Sequence, residues 1–145
     1  MVEFALVAPL LLVLVFGVIG YGYMLSFRQA LSQGAAEGAR AAAVSPYPLA
    51  ADKEQSALSA INDALGGAYG VTCSGAGAGS VLRRNSVTVG TCSVTTAPCK
   101  NDLARSCVTA KVDYRYNDHP LIPKAPGLGL VLPKHLAYEA TVRVS

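Results

Sequence analysis

Apolar residues fill the first part of the chain almost without a break, and three later stretches alternate with a period of two. From Phe4 to Phe27 no residue is charged. As a helix this run is about 36 Å long, enough to cross a hydrocarbon layer. Helix formers continue from Arg28 to Val44, where Pro46 forbids the helical conformation at Ser45. On a helical wheel Arg28, Gln29, Ser32, Gln33, Glu37 and Arg40 occupy one side of this stretch. Ala30, Leu31, Gly34, Ala35, Gly38, Ala41 and Ala42 occupy the other. A stripe so short of bulky side chains gains little from apolar burial and much from close backbone approach. The spacing of Ala30, Gly34 and Gly38 suits a crossing helix, and copies of the same chain are the partners expected here.

A second, short helix is predicted from Asp52, with Gln55 completing a capping box, to Gly66-Gly67; Leu58, Ile61 and Leu65 form its apolar face. Strands are predicted at Ser86 to Cys92, Cys107 to Tyr116 and Leu136 to Val144, with a shorter one near Ala68 to Cys73. In the middle strand Val108, Ala110, Val112, Tyr114 and Tyr116 share one face and Thr109, Lys111, Asp113 and Arg115 the other, so one face is buried and one wet. Ser74 to Ser80 reads as a flexible connection. The proline-rich stretch from Asn117 to His135 reads as a long loop packed on its own leucines. The fold expected is therefore α+β, a long N-terminal helix plus a short helix packed on a small antiparallel sheet. Residues 1–45 form the helical part and 46–145 an exported domain.

Composition narrows the function classes. Charged residues are 14% of the chain and the net charge is +3. That is too weak and scattered for nucleic acid, and Arg83-Arg84 reads as a solvated loop. Cys73, Cys92, Cys99 and Cys107 have 18, 6 and 7 residues between them, which fits no common zinc pattern and suggests two disulfides in an exported domain. Three pairings are open; the one favoured joins Cys99 to Cys107 around Pro98 and Cys73 to Cys92. His119 and His135 lack the companions of a metal site, Asp113 sits on a wet face, and no nucleophile motif occurs. The reading is a non-enzyme without cofactor or metal.

Orientation poses a conflict. The nearest cation to the apolar run is Arg28, on its C-terminal side, which by the loop-charge rule would hold the following domain in the cytoplasm. Disulfides would place it outside. Both are satisfied if a basic leader precedes Met1 and is removed after insertion, so that residue 1 is a processed end. Inside the run, Pro9 removes an amide that would bond the Ala5 carbonyl, and Gly17, Gly20 and Gly22 remove bulk, preparing the helix for helical neighbours in lipid.

The segments "VEFALVAPLLLVLVFG" and "AAEGARAAA" resemble the TadE-like pilins of bacterial tight-adherence (Tad/Flp) systems, within the type IV pilin superfamily. The resemblance extends more loosely to the C-terminal strands. It implies export as a prepilin into the inner membrane, cleavage of a leader by a prepilin peptidase, and assembly by the Tad machinery into an extracellular helical filament of identical subunits. It also implies a role for Glu3, a carboxylate that is costly in lipid until it pairs with the terminal amine of a neighbouring subunit. Type IV pilins carry that glutamate as the fifth mature residue; here it is the third as numbered. Assembly residues implied together are Glu3, Phe4, Pro9, Gly17, Gly20, Gly22, Gly34 and Gly38. The alternative function is a minor pseudopilin or membrane-anchored adhesin that does not itself polymerise.

Overall fold

The computed structural model describes residues 2–75, 79–122 and 132–144. Helix α1 spans Val2–Val44 and runs through Pro9; helix α2 spans Ala50–Tyr69. Five strands follow: β1 Val71–Ser74, β2 Val81–Arg84, β3 Val87–Cys99, β4 Asp102–Tyr114 and β5 Leu136–Val144. They form one antiparallel sheet in the order β1-β2-β3-β4-β5. This is the expected α+β, pilin-like arrangement.

Its core crosses the sequence boundary near residue 45. Met24, Phe27, Leu31, Ala35, Ala39 and Ala42 of α1 are buried with Ala57, Leu58, Ile61 and Leu65 of α2 and the inner face of the sheet. On β4, Val108, Ala110, Val112 and Tyr114 are buried, as is Tyr116 just beyond the strand, in the alternation the sequence predicts.

Several boundaries move for identifiable reasons. Helix α2 begins two residues before Asp52, with Leu49 as its N-cap and no side-chain cap, so Asp52 lies in the first turn and meets the helix dipole instead of capping. It also runs past Gly66-Gly67. Gly70 ends it in the left-handed conformation (φ 63°), its N–H donating to the Gly66 and Leu65 carbonyls. Contacts of Tyr69 with Phe27 and Tyr23 hold the last turn in place against the weak helix propensity of the glycines. Arg83-Arg84 belongs to β2 and is not a loop. The strand was hidden by its length of four residues and by a hairpin turn without glycine: Asn85 (φ 49°) and Ser86 (φ 68°) both adopt positive φ between β2 and β3. Replacing Ser86 by glycine removes its steric penalty and is expected to stabilise the fold by about 0.5–1 kcal/mol in chemical denaturation.

The structure pairs Cys73 with Cys92, joining the strands on either side of β2, and Cys99 with Cys107, closing the β3–β4 hairpin. The first cross-link also brings Asn62 into play, whose side chain exchanges hydrogen bonds with the Cys73 backbone. Part of the Ser74 to Ser80 connection (76–78) and the middle of the proline-rich loop (123–131) lie outside the described residues. Where the loop is described, Leu121 and Leu132 pack against the core.

Near the start of β3, Gly90 faces Tyr114 on β4, and a Cβ there would collide with the Asp113 carbonyl oxygen and lie 3.0 Å from the Tyr114 Cα. Backbone cannot yield as a flexible side chain would. Gly90→Ala is therefore expected to cost about 3 kcal/mol, read as a lower denaturation midpoint at unchanged slope.

Burial raises the pKa of Tyr114, against the opposing influence of Arg84; burial raises that of Tyr116 too, helped by Tyr114 and Tyr23. Unfolded tyrosines release their protons near 10.0, whereas these two hold them in the fold. The stability so contributed is intact below that pH and is lost as pH climbs through the raised values. Titration at 295 nm should show two of the seven tyrosines ionising late, together with loss of near-ultraviolet dichroism. Ionisation of all seven before any dichroism change would contradict this.

Candidate functional site

Helix α1 divides at Tyr23. From Met24 onward one side of it is buried every three or four residues, at 24, 27, 31, 35, 39 and 42. Before that its apolar side chains are bare: Phe4 is 78% exposed, Leu10 73% and Val18 65%, against 0% for Phe27. The bare part, Phe4 to Tyr23, is about 30 Å long, the thickness of a hydrocarbon layer. By length and composition α1 is the helix, among the described residues, that can cross a membrane, with a mean hydropathy of 2.5 over its most apolar window.

An aromatic clamp marks the division. The Phe27 ring meets Tyr69 of α2 edge-on at 4.9 Å and Tyr114 of β4 at 4.8 Å, with Tyr116 at 6.3 Å. Tyr23 meets Tyr69 at 5.9 Å. The Ser26 and Tyr69 hydroxyls are 2.8 Å apart, and Tyr114 donates its hydroxyl proton to the His119 carbonyl at 2.8 Å. Arg28 lies over the Tyr138 ring, and its Nε donates to the Tyr138 hydroxyl. The turn that follows the bare helix is thus tied to α2, β4 and β5 together. Edge-to-face ring pairs of this kind add about 0.5–1.5 kcal/mol each beyond area burial.

The expected assembly residues fall into two groups. Phe4, Pro9 and Gly22 are exposed and Gly17 and Gly20 half-buried; at the three glycines nothing lies within 4 Å of where a Cβ would stand. Pro9 leaves the Ala5 carbonyl without its helical donor. The Glu3 side chain lies outside the described residues. Gly34 and Gly38 are placed otherwise. A Cβ on Gly38 would approach Ile61 Cγ1 to 2.7 Å and the Ala57 carbonyl oxygen to 3.2 Å, and one on Gly34 would touch Leu65. The small-residue stripe therefore meets α2 of its own chain rather than an open surface, because α2 folds back antiparallel and supplies the bulky side chains that α1 lacks.

Phe27, Tyr23 and Tyr69 are not singled out by the sequence, and Arg28 is marked there only by its charge. The signal was present: the burial period starts at Met24, four residues inside the uncharged run. It is masked there because the outward positions are apolar as well.

Elsewhere the surface offers shallow depressions. One on the wet face of the sheet holds Asp113 and His135, whose carboxylate and Nδ1 are 3.0 Å apart, with Arg115 donating to the Thr88 carbonyl. Glu139 faces Lys111 and not Asp113 across β4 and β5. Among the described residues no three His, Cys, Asp or Glu side chains are gathered as metal ligands.

Residues 1–40 match the profile of a family described as TadE-like protein, and the matched part contains the bare helix, Phe27 and the other α1 members of the clamp, and Gly34 and Gly38 of the small-residue stripe. The chain's N-terminal 40 residues are TadE-like. The TadE-like family is associated with Tad pilus systems and is not a family of enzymes. Neither the curated proteins nor the solved structures contain a significant match to the chain. Its membrane-length helix and its two disulfides fit a pilus-associated protein carried on an apolar anchor.

Proposed function

We propose that the chain is a structural, pilin-like subunit of a Tad-type pilus filament. The bare half of α1 holds it in the inner membrane as a precursor and then packs against the same half of neighbouring copies. The observation that carries this reading is the asymmetry of α1: its own domain covers the side chains after Tyr23 and leaves some 30 Å of apolar rod without cover. Water cannot solvate such a surface at acceptable cost, at about 25 cal/mol per Å². Lipid covers it before assembly and sibling helices cover it afterwards. Gly17, Gly20 and Gly22 give those siblings room to approach. Glu3 serves as the register key, its charge neutralised by the terminal amine of a neighbour. Prepilin peptidase and the Tad assembly machinery are the partners this path requires.

Electron microscopy of surface material released by shearing, with mass spectrometry of the same fraction, tests the proposal. Filaments with this chain as principal component are expected. One feature favours a second reading. Leu103, 81% exposed, stands on the hairpin closed by Cys99–Cys107, at the end of the domain far from the clamp. A membrane-anchored binding module or minor pseudopilin would use such a tip, and would appear in sheared filaments only in traces.

A further inference from the structure

The bare helix leaves the domain through an end that is rich in cations. Leu82, Gly90, Tyr114 and Leu136 form one row across β2 to β5. Beyond that row lie Arg83 and Arg84 ending β2, Val87 opening β3, Arg115 following β4 and Lys134 preceding β5. Tyr114 and Tyr116 touch Phe27, so this is the end of the sheet next to the division in α1. The opposite end lies beside the start of α2, where Thr96 donates to Glu54. With Arg28, the near end carries five of the chain's twelve Lys and Arg residues. Asp113 and Asp118 are the acidic residues among them, and Asp113 is engaged by His135.

We infer that this end of the domain is a seat for an anionic bilayer surface, its cations resting on lipid phosphates while Val87 reaches the interface. The inference rests on the membrane-anchor part of the proposed function. Depth is what selects lipid as the occupant. A spanning rod of about 30 Å ends at Tyr23, so Arg28 and the cations level with the clamp stand at headgroup height. Tyr21 and Tyr23, part-exposed at the end of the rod, have the amphipathic character of an interfacial belt. Val87 is 51% exposed at the turn beside Arg83 and Arg84. Among the described residues the remaining acids are dispersed and give a second copy no concentrated acidic face: Asp52 and Glu54 lie toward the start of α2 and Asp63 further along it, Asp102 is 3.6 Å from Arg143, Glu139 faces Lys111, and Glu37 is 3.7 Å from Arg40. Arg28, Arg84 and Arg115 are partly spoken for by Tyr138, Tyr114 and the Thr88 carbonyl, which leaves Arg83 and Lys134, among the described residues, as the exposed members without such a contact.

The full chain, reconstituted in vesicles of phosphatidylcholine with or without phosphatidylglycerol, provides the test. A fluorophore is attached at Val87→Cys, or at Leu103→Cys as a distal control, and quenched by lipids bearing a nitroxide headgroup. Resistance of the helix to alkaline extraction reports the anchor separately. The expected result is an inserted helix in both vesicles, with quenching at 87 about twofold greater when phosphatidylglycerol is present and no change at 103. Each cation near an anionic surface strengthens contact about fivefold, so Arg83→Glu with Lys134→Glu should return position 87 to its phosphatidylcholine value. An inserted helix with quenching at 87 that ignores phosphatidylglycerol or the double reversal overturns the seat but not the anchor. Quenching that tracks protein concentration through self-association also overturns it. A helix that is extracted by alkali removes the anchor, and the seat with it.

Discussion

Phe27→Ala is expected to cost about 3–5 kcal/mol, a large share of the 5–15 kcal/mol that holds an ordinary domain together. The ring is fully buried and touches three others, on α2, on β4 and just beyond β4. Its removal leaves a cavity between α1, α2 and β4 that neither Tyr69 nor Tyr114 can fill, because each hydroxyl is already committed, to Ser26 and to the His119 carbonyl. Phe27→Leu keeps most of the volume and should cost less than half as much. Phe16→Ala, at a bare position, should leave the domain's denaturation midpoint unchanged. Denaturation in detergent, followed by tyrosine near-ultraviolet dichroism, separates the three. If the Phe27 and Phe16 variants lost equal stability, the clamp would not be what joins the domain to its helix.

The second large effect concerns Glu3. Glu3→Ala should leave the amount of protein in the membrane unchanged and abolish filaments. A lone carboxylate in lipid is costly, and removing it makes insertion no harder. In the proposed assembly, what disappears is the pairing with a neighbour's amine that would reward correct register between subunits. Glu3→Gln keeps size and hydrogen bonding but not charge, and is expected to fail in the same way. Normal filaments from either variant would show that register is set by the apolar rod alone.

Much of this architecture is legible in local pattern. The uncharged run gives the length of α1. Alternation from Val108 to Tyr114 gives the buried face of β4, and Leu58, Ile61 and Leu65 give the packed face of α2. β2 is not legible: four residues are too few to show a period, and the Asn85–Ser86 turn lacks the glycine that marks such hairpins. The extension of β3 through Pro98 to Cys99 is likewise hidden, since proline argues against a strand until pairing with β4 and the Cys99–Cys107 bridge are known.

For the functional surface the division is of a different kind. Sequence by itself determined that a membrane-length apolar helix leads into a disulfide-bearing α+β domain, because length, hydropathy and periodicity are properties of neighbouring residues. Tertiary structure alone decided which half of that helix is free. Gly34 and Gly38, spaced for any close helical partner, are taken by Ile61 and Leu65 of the same chain, while Gly17, Gly20 and Gly22 are not taken at all. A small-residue stripe states that a backbone can come near. Which backbone comes is settled by chain return through residues far away in sequence.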